Sequence, residues 1–409
     1  MDKQKRYHGE IWFLGKESQK QFGILFFKED DIFIETNLHS SEMVFKELQI
    51  VGVFTGLGYA TFVDCLIQNQ TSGIIESRVY KPKYLFVSNE HIILTENLLI
   101  KEFYVINEAI VKWINHAVWY NNQTNSLSKK EFTDQYEIQQ DEFMIEIQQF
   151  ISYRMKNRSK LVISNHGKVK FILKEAVSVL KAIEIYDQFQ EVLQFLRGGS
   201  SKFSEFKFQC LGCNAWQEVY YNDKKLSKST YNFIYTEYKD IKSELSKILI
   251  AAYTNDNFRF CLHRLMDNFI SSGISHSKRF TNSISTFEAF CKIYSGIDQN
   301  NLKKYIKNYE EIFKSIGKLT DEEWSSFAGK VIRSRDYHVH SNQKNRGIYS
   351  DFELLYVSFL FDFVIGYLLA KNIGLSESIL DKFINQGNRV YIDMKRTNQI
   401  LSANSLKDE

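Results

Sequence analysis

The spacing of apolar residues changes once along this chain, and that change confines it to two unlike folding regimes. Up to about residue 175, β-branched and aromatic residues come in short runs: Ile11–Leu14, Phe22–Phe27, Asp31–Glu35, Leu48–Thr55 and Ala60–Ile67. Ile74–Val79, Tyr84–Val87, Phe143–Ile147 and Lys168–Leu173 continue the series, with Gly, Asn, Asp and Ser between many of them. Such runs separated by turn residues predict strands, and their frequency predicts a sandwich or barrel-like β domain. The polar stretch Asn121–Asp141 is expected to be an exposed loop or a surface helix. A helix is predicted over Val177–Leu196, stopped by Gly198-Gly199-Ser200-Ser201. Two strand-like pieces follow, Phe203–Cys210 and Trp216–Tyr221. From about Tyr235 the pattern turns helical to the end and predicts an all-α bundle of four or more helices. The expected class is therefore α+β, with a β-rich domain over 1–235 and a helical domain over 236–409.

Composition narrows the classes further. A chain of 409 residues exceeds one ordinary core, and 44% hydrophobic with 25% charged residues is a globular composition. A net charge of +3 is low for a dedicated nonspecific DNA binder but permits RNA contact at a local cleft. Five cysteines make no disulfide framework. The N-terminal MDKQKRYHGE has no apolar core of a signal peptide, so a cytoplasmic location is expected. Phe352–Ala370 is almost long enough to span a membrane. Its central Asp362 would cost about 2.5–3.5 kcal/mol in lipid, which favours a buried helix and no membrane.

The helical part carries its own punctuation. Thr320-Asp-Glu-Glu323 is a capping box, and the helix it opens puts Trp324, Phe327, Ala328 and Val331 on one face. Ser350-Asp-Phe-Glu353 is a second box, opening an apolar helix that Gly374 ends. Earlier helices are expected at Leu245–Ile270 and Ser285–Ile293. At the end of the first capped helix lies Arg333-Ser-Arg-Asp-Tyr-His-Val-His340, with two Arg-x4-His pairs, Arg333/His338 and Arg335/His340. Pairs at that spacing arise readily by chance, so the flanking helices carry the signal.

This segment resembles the HEPN superfamily, whose nuclease members carry Arg, four to six residues, then His, often with Asn, Asp or His directly after the Arg. Arg335-Asp336-Tyr-His-Val-His340 fits the fuller pattern; Arg333, followed by Ser334, fits less well. The chain also resembles the ApeA group of bacterial anti-phage proteins, in which a β-rich N-terminal domain precedes a HEPN domain. His8-Gly9-Glu-Ile-Trp12 and Gln21-Phe-Gly23-Ile-Leu-Phe26 are similar to the opening of that N-terminal domain. The resemblance implies a metal-independent endoribonuclease without cofactor, acting in abortive infection, with RNA as substrate and a homodimer or higher homo-oligomer formed through the helical domain. It also implies an N-terminal sensor that a phage-derived protein can activate.

The residue chemistry suits that activity. Metal-free RNA cleavage needs a base for the 2′-hydroxyl and an acid for the departing 5′-oxygen, and imidazole serves both tasks. Arginine offers a fixed fork of donors to the phosphate. His340 is assigned to proton transfer, Arg335 to phosphate stabilisation and Asp336 to orienting one of them. Arg333, Tyr337 and His338 are candidates for substrate contact. Arg335 also continues the apolar face of Phe327, Ala328 and Val331, so it is expected to meet a cleft or a second subunit. The main alternative is a non-catalytic HEPN module that binds RNA, a nucleotide or a protein; a toxin held by a neighbouring antitoxin is a third class.

Cys210-Leu-Gly-Cys213 has zinc-knuckle spacing but lacks a second pair, with Cys261 and His263 the nearest candidates. It reads better as a hairpin turn. His39, His91, His116 and His166 share no spacing. Lys224, Lys225, Lys228, Lys303, Lys304 and Lys307 are basic residues that can hold RNA or simply face solvent.

Overall fold

The computed structural model describes residues 5–28, 31–39, 49–71, 76–93, 98–114, 118–129, 131–138, 143–156, 160–197, 203–212, 215–221, 234–270, 273–296, 301–340 and 347–405. They fall into two compact units. One comprises 1–112, 116–184 and 202–224; the other comprises 113–115, 185–201 and 225–409.

The first unit is built on strands. In chain order they are β1 (Tyr7–Phe13), β2 (Gln21–Lys28), β3 (Asp31–Thr36), β4 (Ile50–Phe54), β5 (Gly58–Val63), β6 (Leu66–Thr71), β7 (Ser77–Lys81) and β8 (Tyr84–Ser88). Then come β9 (Leu99–Asn107), β10 (Val118–Asn121), β11 (Ser126–Lys129), β12 (Phe132–Ile138), β13 (Phe143–Lys156), β14 (Lys160–Ser178), β15 (Phe203–Cys210) and β16 (Gln217–Tyr221). Among the described residues, fourteen of them form one sheet in the order β12-β13-β14-β9-β15-β16-β8-β5-β4-β1-β2-β3-β7-β6, and β10 pairs with β11 separately. Every pairing in the ladder is antiparallel. Period-2 alternation sets the inward face, as in β3, where Ile32, Ile34 and Thr36 are buried.

The sheet curls upon itself, as the strand-rich sequence predicted. Phe27 on β2 and Tyr220 on β16 stand five places apart in the ladder, yet their rings meet at 6.4 Å. They join one core with Ile11, Leu25, Ile50 and Phe62. Further along, Phe103 of β9 stacks on Phe171 of β14 at 4.5 Å and on Phe206 of β15 at 5.1 Å.

Two sequence expectations fail in this unit. Ala60–Ile67 is two strands, because Asp64 turns the chain with φ of +52°. The described residues of Asn121–Asp141 form neither a long loop nor a helix: β11 and β12 lie there, with Tyr136 and Ile138 buried at alternate positions. Its polar residues occupy the outward face of a sheet-edge strand, so mean polarity concealed a period of two.

The helices are α1 (Glu108–Ile114), α2 (Val179–Arg197), α3 (Tyr238–Ile241), α4 (Leu245–Thr254), α5 (Asp256–Ile270), α6 (His276–Tyr294), α7 (Leu302–Asn308) and α8 (Glu310–Gly317). The chain continues with α9 (Asp321–His340), α10 (Asp351–Asn372) and α11 (Glu377–Ser405). The helix expected over Leu245–Ile270 is broken at Asn255, which leaves helical geometry (φ −111°, ψ 100°) and caps α5 by accepting from the Phe258 amide at 3.0 Å. The second unit gathers α3–α11 with the later part of α2. There Tyr253 donates to the Ile185 carbonyl at 2.7 Å and Phe195 meets Phe383 at 5.5 Å.

α10 is the axis of this bundle. Among the described residues it is the one helix long and apolar enough to cross a membrane, and it is mostly buried within the protein. Phe361 at its middle meets Phe287 of α6 at 5.3 Å, Phe313 of α8 at 5.0 Å and Phe327 of α9 at 6.3 Å. Those edge-to-face and stacked contacts fix the height of α9 against the bundle. At the next position, the buried Asp362 carboxylate accepts from Ser283 (2.8 Å), Asn268 (3.2 Å) and Arg279 (3.3 Å). Burial pushes its pKa up to about 6, against the pull of the Arg279 charge and of the Ser283 and Asn268 hydrogen bonds.

Candidate active site at the end of α9

α9 begins where its sequence says it should. The Glu323 amide donates to Thr320 Oγ1 at 3.2 Å, and Glu323 Oε2 accepts from the Thr320 amide at 2.9 Å. α10 opens with the same reciprocal pair between Ser350 and Glu353. From Phe327, Ala328 and Val331 the buried face of α9 runs on to Ser334, whose Oγ accepts the Tyr349 amide at 2.9 Å. Ser334 therefore takes the inward position and ties the last turns of α9 to the segment leading into α10.

The residues around Ser334 are each held differently. Arg335 is a third exposed, and its Nη2 donates to Glu288 of α6 at 3.1 Å. Arg333 is exposed, and its Nε donates to the Gly347 carbonyl at 3.1 Å. Gly347 has φ of +70°, and a Cβ there would lie 3.2 Å from Arg333 Nη2, so glycine suits both the backbone and the close approach. Tyr337 and His338 meet edge to face at 5.0 Å and line an open cleft with Ile348, Tyr349, Asp351 and Leu354. His338 Nε2 is buried without a hydrogen-bond partner. Asp336 is half-buried, and His340 is the last residue of α9, its side chain outside the described residues.

Helical geometry runs unbroken to residue 340, which separates the sequence pairs. With each residue turning about 100°, Arg335 and position 340 differ by about 140°, as do Arg333 and His338. Positions 331, 334, 335 and 338 share one face; positions 333, 336, 337 and 340 share another. The structure thus joins Arg335 to the His338 face, and puts position 340 on the face of Arg333 and Asp336.

Two neighbours of the site escaped the sequence analysis. Glu288 has no motif around it, and its 47-residue separation from Arg335 leaves nothing in local spacing to find it. His276 at the start of α6 is hydrogen-bonded through Nδ1 to Asp351 Oδ2 at 2.8 Å, and Asp351 lines the same cleft. Lys330 is in reach of both an ion pair and an aromatic ring, lying 3.0 Å from Glu353 Oε1 and 4.3 Å from the centre of the Tyr349 ring. Burial opposes ionisation of Glu353, but the Ser350 amide and Lys330 outweigh it and hold the carboxyl below its ordinary value. Tyr349 is buried, and its phenol is pushed well up.

The zinc candidates divide. Cys210 ends β15 and donates weakly to Gln217 Oε1 at 3.7 Å; Cys213 lies outside the described residues. Cys261 is buried, with its thiol pushed up to about 11, which disfavours a thiolate ligand. His263 is hydrogen-bonded to Glu191. Among the described residues no three His, Cys, Asp or Glu side chains converge as metal ligands. His39 lies 3.9 Å from Glu76, His91 packs on Trp12 and Tyr59, and His166 bonds Ser152; His116 lies outside the described residues. Lys303, Lys304 and Lys307 project into solvent from α7, a helix packed against α9. Lys224, Lys225 and Lys228 lie outside the described residues.

Two family models match the chain. The model of ApeA N-terminal domain 1 matches residues 6–250, and the model of the Apea-like HEPN domain matches residues 215–379. No curated protein and no solved structure matches the chain. The first match covers more than half the chain and the second contains the whole Arg333–His340 segment, so the chain belongs to the ApeA family of HEPN-type defence proteins.

Proposed function

We propose that this protein is a metal-independent endoribonuclease that stops phage growth by cutting RNA in the infected cell. The observation that carries the proposal is the end of α9, where two arginines, two histidines and an aspartate crowd into two turns beside an open cleft. The exposed Lys303, Lys304 and Lys307 on neighbouring α7 add positive potential along which RNA can approach.

In the proposed reaction a histidine takes the proton of the 2′-hydroxyl, the 2′-oxygen attacks the phosphorus and the bond to the 5′-oxygen breaks. A second histidine protonates the departing oxygen. The products end in a 2′,3′-cyclic phosphate and a 5′-hydroxyl. Arg335 supplies the donor fork for the phosphate, and Asp336, one helical turn before position 340, orients His340. Because Arg335 and position 340 face apart on one helix, a second copy completes the pair: Arg335 of one chain works with His340 of the other across a homodimer. Arg333, Tyr337 and His338 contact the substrate beside them. The β-rich unit senses infection, with a phage protein as its activator.

Purified protein incubated with total RNA in EDTA tests this. The expected result is fragments with cyclic-phosphate ends, abolished by Arg335→Ala or His340→Ala with circular dichroism unchanged. Full cleavage by the His340→Ala protein would overturn the assignment. Loss of cleavage in His338→Ala, with His340→Ala active, would move the chemistry to Arg333 and His338.

A further inference from the structure

We infer that the helical unit holds a binding site for a small, uncharged, mainly apolar molecule, and that its occupancy acts on the end of α9. Between α8, α9, α10 and α11 lies a cavity of about 180 Å³, lined by Phe327, Val357, Leu360, Val390 and Met394. Interiors of proteins are otherwise packed as closely as organic crystals, so a space of this size within a bundle is a place for an occupant. The space opens to solvent at one side, where Glu323, Ser326 and Lys330 can hold water, but most of its wall is carbon, against which water gains few hydrogen bonds. A charged ligand would find the charges already matched: Lys330 with Glu353 at 3.0 Å, and Glu323 with Lys395 at 3.5 Å and Tyr391 at 3.0 Å. The chemistry that remains is an aromatic or aliphatic body with one neutral hydrogen-bonding group directed to this rim.

The cavity shares two walls, Tyr349 and Glu353, with the cleft that Tyr337 and His338 line. The Tyr349 amide is the one that Ser334 Oγ accepts, between Arg333 and Arg335. An occupant pressing on the Tyr349 ring therefore bears on the hydrogen bond that anchors the arginines. The regulatory meaning rests on the ribonuclease proposal, but the site and its coupling do not need RNA cleavage to be seen.

Indole, neutral with a single N–H donor, is the probe. In the full-length protein, millimolar indole is expected to raise the melting temperature by a few degrees and to slow hydrogen exchange of the Tyr349 amide severalfold. Met394→Trp on α11 and Leu360→Trp on α10, both at half-buried lining positions, fill the space. Both should lose the indole response, and either one keeps the test open if the other impairs folding. No response in the natural protein, or an equal response in a folded Met394→Trp protein, overturns the site. Indole binding with unaltered exchange at Tyr349 overturns the coupling.

Discussion

Arg335 meets a carboxylate before it meets any phosphate. Its guanidinium lies 3.1 Å from Glu288 and is a third exposed, so the pair is worth at most about 1 kcal/mol once solvent screening is counted. An RNA phosphate entering the site must compete with Glu288 for the same donors. Glu288→Gln removes the competing charge and keeps the shape. It should raise affinity for a 2′-O-methyl oligonucleotide severalfold, read by fluorescence anisotropy at low salt. Equal or weaker binding would mean that Glu288 positions Arg335 for the substrate instead of shielding it. Arg335→Ala, by contrast, should shift the unfolding midpoint little, because so exposed a pair holds little of the fold. Arg335 could be singled out from the Asp that follows it and the helix that precedes it. Glu288 could not, because the contact exists only after α6 and α9 pack.

At the scale of elements, the functional end of α9 is tied inward by the Ser334–Tyr349 hydrogen bond, beside the more exposed Arg333–Gly347 and Arg335–Glu288 contacts. Ser334→Ala leaves the Tyr349 amide buried without an acceptor, a loss of about 1–3 kcal/mol. Chemical denaturation should show it, together with faster exchange of the 347–350 amides; an unchanged midpoint would mean that Tyr349 finds another acceptor. The start of α9 and its buried face were legible because capping boxes and 3.6-residue periodicity are local. Its consequence was only half legible: an Arg and a His five apart read as a pair in the sequence but diverge by about 140° once the helix continues through both. The α5–α6–α10 layer gives a pH prediction. Burial raises Asp362 to about 6, above the roughly 3.9 of an unfolded Asp, so the folded state holds the proton more tightly. This contribution to stability is complete below about pH 4 and is lost as pH rises through about 6. Above that range, Arg279→Met alone should cost about 3–5 kcal/mol by leaving the Asp362 carboxylate buried and unpaired, Asp362→Asn should remove this pH dependence, and Asp362→Leu with Arg279→Met should recover much of the loss. Urea midpoints of the three variants at pH 5 and pH 7.5 measure both effects.

For the whole molecule, the change of apolar spacing located the two regimes because period 2 and period 3.6 are distinguishable in any window of sequence. The order of fourteen strands was not legible, since β9 pairs with both β14 and β15 across long separations that no local pattern records. The same limit applies to oligomeric state, and here the backbone supplies an argument. If Arg335 and His340 act together while facing apart on one helix, they come from different chains, and a symmetric pair then holds two composite sites. Mixing Arg335→Ala with His340→Ala protein, under conditions that let subunits exchange, would create heterodimers with one intact site each. Random exchange makes half the dimers mixed, so cleavage should return to about a quarter of the natural rate, although each variant alone is inactive. A mixture as inactive as its components, with exchange verified by differently labelled subunits, would place both residues' work within one chain. Arg333, on the same face as position 340, would then be the arginine to substitute next.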